Sequence, residues 1–131
     1  GGEYWRHWHE NLLRSLQCCG WISPEDTAFY HIAKDEQDAV EHVLKFYRIF
    51  HSSRYVGDTL VLRLQRSLAP AEIELLNSKF AGLIKVGRIE ASGALEGERD
   101  HLDLPRIAFI HTRNQFALVR RLIDQINDFG L

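Results

Sequence analysis

Gly57-Asp58-Thr59-Leu60-Val61-Leu62-Arg63-Leu64-Gln65 is the stretch on which the fold turns. Leu60, Leu62 and Leu64 alternate with Thr59, Val61, Arg63 and Gln65, the period of two that marks a half-buried strand. Pro70 then opens a helix running to about Ile84, with Ile73, Leu76, Phe80 and Leu83 on its inward face. Gly87–Ser92 reads as a second strand, Gly93–Leu104 as a polar loop with Gly97 and several acids, and Arg106–Thr112 as a third strand. Asn114 caps a last helix in which Phe116, Val119, Leu122, Ile123 and Ile126 face inward and Gly130 is the stop. The order β-α-β-β-α supplies five of the six elements of a ferredoxin-like plait and lacks the closing strand.

Working back toward the amino terminus, Trp5, Trp8, Leu12, Leu16 and Cys19 recur at spacings of three and four, one face of a helix that must dock on something. Gly20 stops it, and Ser23-Pro24-Glu25-Asp26 begins a short helix or turn. Phe29–Ala33 is aromatic and β-branched enough for a short strand. Asp35 and Asp38 then lead into a helix over Glu36–Phe50 whose buried stripe is Ala39, Val40, Val43, Leu44, Tyr47 and Phe50. Helix, strand, helix is the grammar of a parallel sheet. The expected class is therefore α/β (α+β): a partial Rossmann-type helix-strand-helix in residues 1–52, then a β-α-β-β-α plait-like unit in 53–131, with about four strands and four main helices. Phe29–Ala33, or a partner chain, is a candidate for the missing strand of the plait; an uncovered edge invites self-association as a dimer.

Bulk properties narrow the function. A chain of 131 residues, 45% hydrophobic, buries a real core. Sixteen basic against eighteen acidic residues give a formal charge of -2, which disfavours a nucleic-acid partner. No apolar run approaches the roughly 20 residues that span a bilayer, and no signal-peptide core is present, so no membrane association and a cytoplasmic location are expected. Cys18 and Cys19 are adjacent, a spacing that disfavours a mutual disulfide and fits free thiols in a reducing compartment.

Catalytic constellations are incomplete. His9-Glu10 begins like a zincin helix, but Leu13 stands where the second histidine belongs. No GxSxG elbow, GxGxxG or GxxxxGK occurs, and no catalytic, cofactor or metal residues are assigned. His111, at a strand end before Thr112 and Arg113, reads as a site residue or as a surface histidine. The most unusual segment runs from Arg48 to Asp58. Arg48, His51, Ser52, Ser53 and Arg54 gather cations and hydroxyls that suit an anion or a nucleotide phosphate. The same groups also suit a helix carboxy terminus, where cations and serines answer free carbonyls and Gly57 turns the chain.

Gly2-Glu3-Tyr4-Trp5, Ile22-Ser23-Pro24-Glu25-Asp26, Asp38-Ala39-Val40-Glu41, and Phe46-Tyr47-Arg48 leading into His51-Ser52-Ser53-Arg54-Tyr55-Val56-Gly57-Asp58 together resemble the carboxy-terminal part of LOG-like Rossmann proteins, the family labelled "possible lysine decarboxylase". Gly87-Arg88-Ile89-Glu90 and Leu104-Pro105-Arg106 are similar to an extension that some members carry. The resemblance implies a Rossmann-type sheet and, in characterised members, hydrolysis of the N-glycosidic bond of nucleoside 5′-monophosphates at a dimer interface. The motif of that activity, PGGxGTxxE, does not occur in these residues, so no catalytic position carries over. The expectation is a non-catalytic accessory, oligomerisation or small-molecule-sensing domain of a LOG-like protein. Its rivals are a fragment of the phosphoribohydrolase itself, which needs the glycine-rich segment, and a free-standing anion-binding protein that uses Arg48, His51 and Arg54.

Overall fold

The structure, a computed structural model, describes residues 2–131. It divides into two compact units, the first ending at Leu44 and the second comprising Lys45–Leu131. The first unit holds α1 (Gly2–Trp8), a π-helical turn at His9–Leu13, α2 (Arg14–Cys18), a 3₁₀ helix at Pro24–Phe29 and most of α3 (Glu36–Phe46). The second holds β1 (Phe50–Val56), β2 (Thr59–Leu64), α4 (Pro70–Lys79), a 3₁₀ turn at Ala81–Leu83, β3 (Ile84–Ser92), β4 (Arg106–His111) and α5 (Phe116–Asp128).

The expected α+β class holds, with four strands in one antiparallel sheet of order β1-β2-β4-β3. Strands β2, β3 and β4 with α4 and α5 are the five elements read from the sequence. The sixth is a different segment from the one expected. Phe29–Ala33 is no strand: Asp26 accepts a hydrogen bond from the Ser23 amide at 2.7 Å, which winds Pro24–Phe29 into a helical turn. The closing strand is Phe50–Val56, which precedes the unit instead of following it, so the plait is circularly permuted.

That strand was read as the end of a helix and its turn, and a long-range contact explains the difference. α3 stops at Phe46. Asn127, 1% exposed on α5, accepts hydrogen bonds from the Ile49 and Phe50 amides at 2.8 and 3.0 Å and donates to the Phe46 carbonyl at 2.6 Å. One side chain thus satisfies the last helical carbonyl and the first strand amides. Gly57, at φ +58, then makes a two-residue turn with Asp58, pairing Val56 with Thr59.

The leucines of β2 face the core as the alternation indicates, but the strand is buried on both faces and not half-buried, Val61 and Arg63 included. Leu60, Leu62 and Leu64 pack with Ile89, Ile107, Phe109, Leu76, Leu122 and Ile126 in a core between the sheet and its two helices. Glu72 accepts from the Ala69 amide at 2.7 Å and so caps α4, while Asn77 holds the Ile89 amide and carbonyl at 2.8 and 2.9 Å. At the start of α5, Asn114 bonds Thr112 and the cap position falls to Gln115 at φ +53, so Asn114 is not the cap that the sequence indicated.

Candidate functional site

The face of the sheet turned away from α4 and α5 carries every second residue of the central strands. Register places Arg63 opposite Arg106, Val61 opposite Ala108 and Thr59 opposite Ile110. Two guanidiniums side by side in a sheet repel unless an anion lies between them. Glu98, from the segment linking β3 to β4, supplies it. Its carboxylate accepts from Arg63 Nε and Nη2 at 3.1 and 2.7 Å, from Arg106 Nε at 2.9 Å and from the Leu95 amide at 2.9 Å. Burial alone would raise this carboxyl, but the Leu95 amide and both arginines outweigh it and hold it at about 2.

Arg106 reaches further. Besides Glu98 it donates to the Leu104 carbonyl and to the Asp100 and His101 carbonyls at 3.3 and 2.8 Å. The polar loop 93–105 is thereby strapped across one half of the open face, where Val61 is fully buried and Arg63 and Arg106 are 6% and 1% exposed. Beyond the strap the face opens into a groove of about 370 Å³, lined among others by Thr59, Val86, Glu90, Leu95, Ala108 and Ile110.

The segment singled out as an anion site is dispersed by this geometry. Arg48 lies across Gly130, so close that a Cβ there would sit 2.6 Å from its Cδ. Ser53, opposite Leu62, belongs to the face that carries the core, whereas Ser52 and Arg54, opposite Arg63 and Val61, share the other. His51 shares a hydrogen bond with Ser52 at 2.9 Å and packs edge-on against His101 with ring centroids 4.5 Å apart. Ser52 in turn accepts a long bond of 3.5 Å from Arg63. Of the five residues, His51 and Ser52 therefore join the arginine cluster. Arg63, Arg106 and Glu98 were missed as site residues; the available signal was a cation set between two core leucines of the central strand.

His111 is no surface histidine: it is 1% exposed, enclosed by Tyr55, Phe109 and Phe116. Its Nδ1 meets the Tyr55 hydroxyl at 2.5 Å, and Nε2 has no hydrogen-bond partner among the described residues. Burial, aided by the Arg113 charge, holds the imidazole below its ordinary 6.5.

In the first unit, His31 bonds Asp38 at 3.0 Å and stacks on His42 with centroids 4.3 Å apart. A groove of about 460 Å³ there is lined by Trp5, Trp8, Tyr30, His31 and Lys34, among others. Among the described residues no group of three or more histidines, cysteines or carboxylates is placed to hold a metal ion, and no helix is long and apolar enough to cross a membrane. No family model, curated protein or solved structure matches the chain.

Proposed function

We propose that this chain is a non-catalytic accessory domain of a LOG-like nucleotide-processing protein, whose first unit docks on a Rossmann-type domain. One observation carries the proposal. Within the described residues up to Leu44, Leu13 is the only buried hydrophobic, whereas Tyr4, Trp5, Trp8 and Leu12 on one helical run and Val40, Val43 and Leu44 on another are exposed, Trp5 at 54% and Leu44 at 66%. Apolar residues at helical spacing, left in water over two helices, mark a surface made to be covered. The last layer of an α/β sheet presents such faces, because helices there bury one stripe against the strands. Resemblance of the same segments to the LOG-like carboxy terminus supplies the partner's class.

The test is a titration of the chain with a separately produced LOG-like Rossmann domain that carries PGGxGTxxE, followed by tryptophan fluorescence and assayed for base release from nucleoside monophosphates. A complex with a blue-shifted emission is expected, weakened at least tenfold by Trp5→Asp with Trp8→Asp. The chain alone releases no base. Base release by the chain alone, or no complex at all, overturns the proposal. Release that requires both pieces assigns the chain to the enzyme itself.

A further inference from the structure

Stability alone gives a weak account of the buried Arg63–Glu98–Arg106 cluster. Replacing a buried ion triad with apolar residues of similar volume is often neutral or stabilising, and the best-attested use of such a group is registry or switching. Here two cations share one carboxylate on the central strands, so the site carries a surplus positive charge. The carboxylate arrives on a strap whose turns place Gly97 at φ +93 and His101 at φ +51, the latter in the left-handed region that a histidine adopts at some cost. Most of the strap is exposed, with Glu98 its buried anchor.

The groove adjoins this anchor. On the same face, the pair Val61 and Ala108 follows Arg63 and Arg106, and the pair Thr59 and Ile110 follows that. Each step is two residues along a strand, about 7 Å. Leu95 joins the two features: its amide donates to Glu98, and the residue also lines the groove.

We infer that Arg63 and Arg106 form a carboxylate-binding site, and that Glu98 is an internal occupant displaced by a small organic monocarboxylic acid with an apolar body. Glu98 itself defines the pose. The ligand's planar carboxylate takes the bonds from Arg63 Nε and Nη2 and from Arg106 Nε, a geometry that guanidinium forks favour. Its body lies over Ala108 and Ile110 in the groove. Release of Glu98 frees the strap, which turns binding into a change of surface. The inference deepens the accessory-domain proposal and rests on it only for what that change controls; the site is tested on the chain by itself.

The experiment is an amide-resolved NMR titration of the full chain with sodium benzoate, with benzyl alcohol and inorganic phosphate as comparison arms. Benzoate is expected to shift the Thr59, Ala108 and Ile110 amides saturably and to speed hydrogen exchange at the Glu98 and Leu64 amides, which bond to the Leu95 and Pro105 carbonyls of the strap. Benzyl alcohol and phosphate bind at least tenfold more weakly. Arg106→Met loses benzoate binding by more than tenfold, and Glu98→Gln, which weakens the internal competitor, tightens it at least tenfold. Should Glu98→Gln fail to fold, the wild-type arms decide. Absence of saturable shifts with benzoate in the wild type, equal shifts with benzyl alcohol, or equal affinity for phosphate overturns the inference. Loss of docking on a Rossmann domain leaves this titration untouched, so the two proposals fail separately.

Discussion

Replacing Glu98 with glutamine keeps the shape of the side chain and removes its charge from between two guanidiniums. The carboxyl titrates near 4.5 in the unfolded chain and at about 2 in the fold, so its ionised form is favoured by folding. A difference of that size, at 1.36 kcal/mol for each pH unit, corresponds to roughly 3 kcal/mol of stability at neutral pH. The side chain is wholly shielded from water, so solvent screening takes little from that figure. Because the folded value is the lower one, the contribution is present in full above pH 4.5 and is lost as pH falls through 4.5 toward 2. Urea unfolding of wild type and Glu98→Gln should therefore differ by about 3 kcal/mol at pH 7 and converge near pH 2. Asp38 and Glu72 also titrate below their ordinary range, Asp38 through the Lys34 amide and His31, and Glu72 through Arg66 against its own burial. Their acid dependence is common to both proteins, so the difference between the two curves isolates Glu98. A gap under about 1 kcal/mol at pH 7, or parallel curves from pH 4.5 to 2, would refute the assignment of Glu98 as the charge that holds the strap.

Three further outcomes are expected. Asn127→Leu strands the Ile49 and Phe50 amides and the Phe46 carbonyl, at a cost of at least about 2 kcal/mol in urea unfolding, with faster hydrogen exchange at both amides. His111 is held neutral in the fold, so stability falls as pH drops below 6.5; His111→Phe flattens that part of the curve, and NMR titration of the wild-type ring places its midpoint below 6.5. The triple replacement Arg63→Met, Glu98→Leu, Arg106→Met destabilises by less than Glu98→Gln in urea unfolding at pH 7, because no charge is left unpaired and the carbonyls it releases lie on a largely exposed strap where water replaces Arg106.

Much of the second unit was legible because its chemistry is local. Alternation in Thr59–Leu64, the proline at the start of α4 and the amphipathic run of α5 each state a period or a cap within a few residues. β1 was hidden because Phe50–Val56 mixes histidine, serine and arginine without apolar alternation, and the Asn127 clamp that ends the preceding helix lies almost eighty residues further along the chain. Gly57-Asp58 between Val56 and Thr59 was the one hairpin signal on offer. Conversely, Phe29–Ala33 had strand-like composition but no strand paired with it: Phe29 ends the helical turn that the Ser23–Asp26 cap opens, and residues 30–33 are irregular. The anion segment misled for a related reason. Closeness in sequence sends adjacent strand residues to opposite faces, which separates Ser53 from Ser52 and Arg54.

By itself, then, the order of residues determined the class of fold, the inward stripe of α5, the alternating central strand and the absence of a complete catalytic motif, since all of these depend on neighbours along the chain; the stripe read as buried on α3 is exposed instead. Only the tertiary structure decided which segment closes the sheet, that Arg63 and Arg106 face each other across it, and that Glu98 lies between them. The first depends on Asn127 ending α3 from the far end of the chain, and the other two on register between strands more than forty residues apart and on a loop folding back over them; contacts at that range leave no period in the sequence to read.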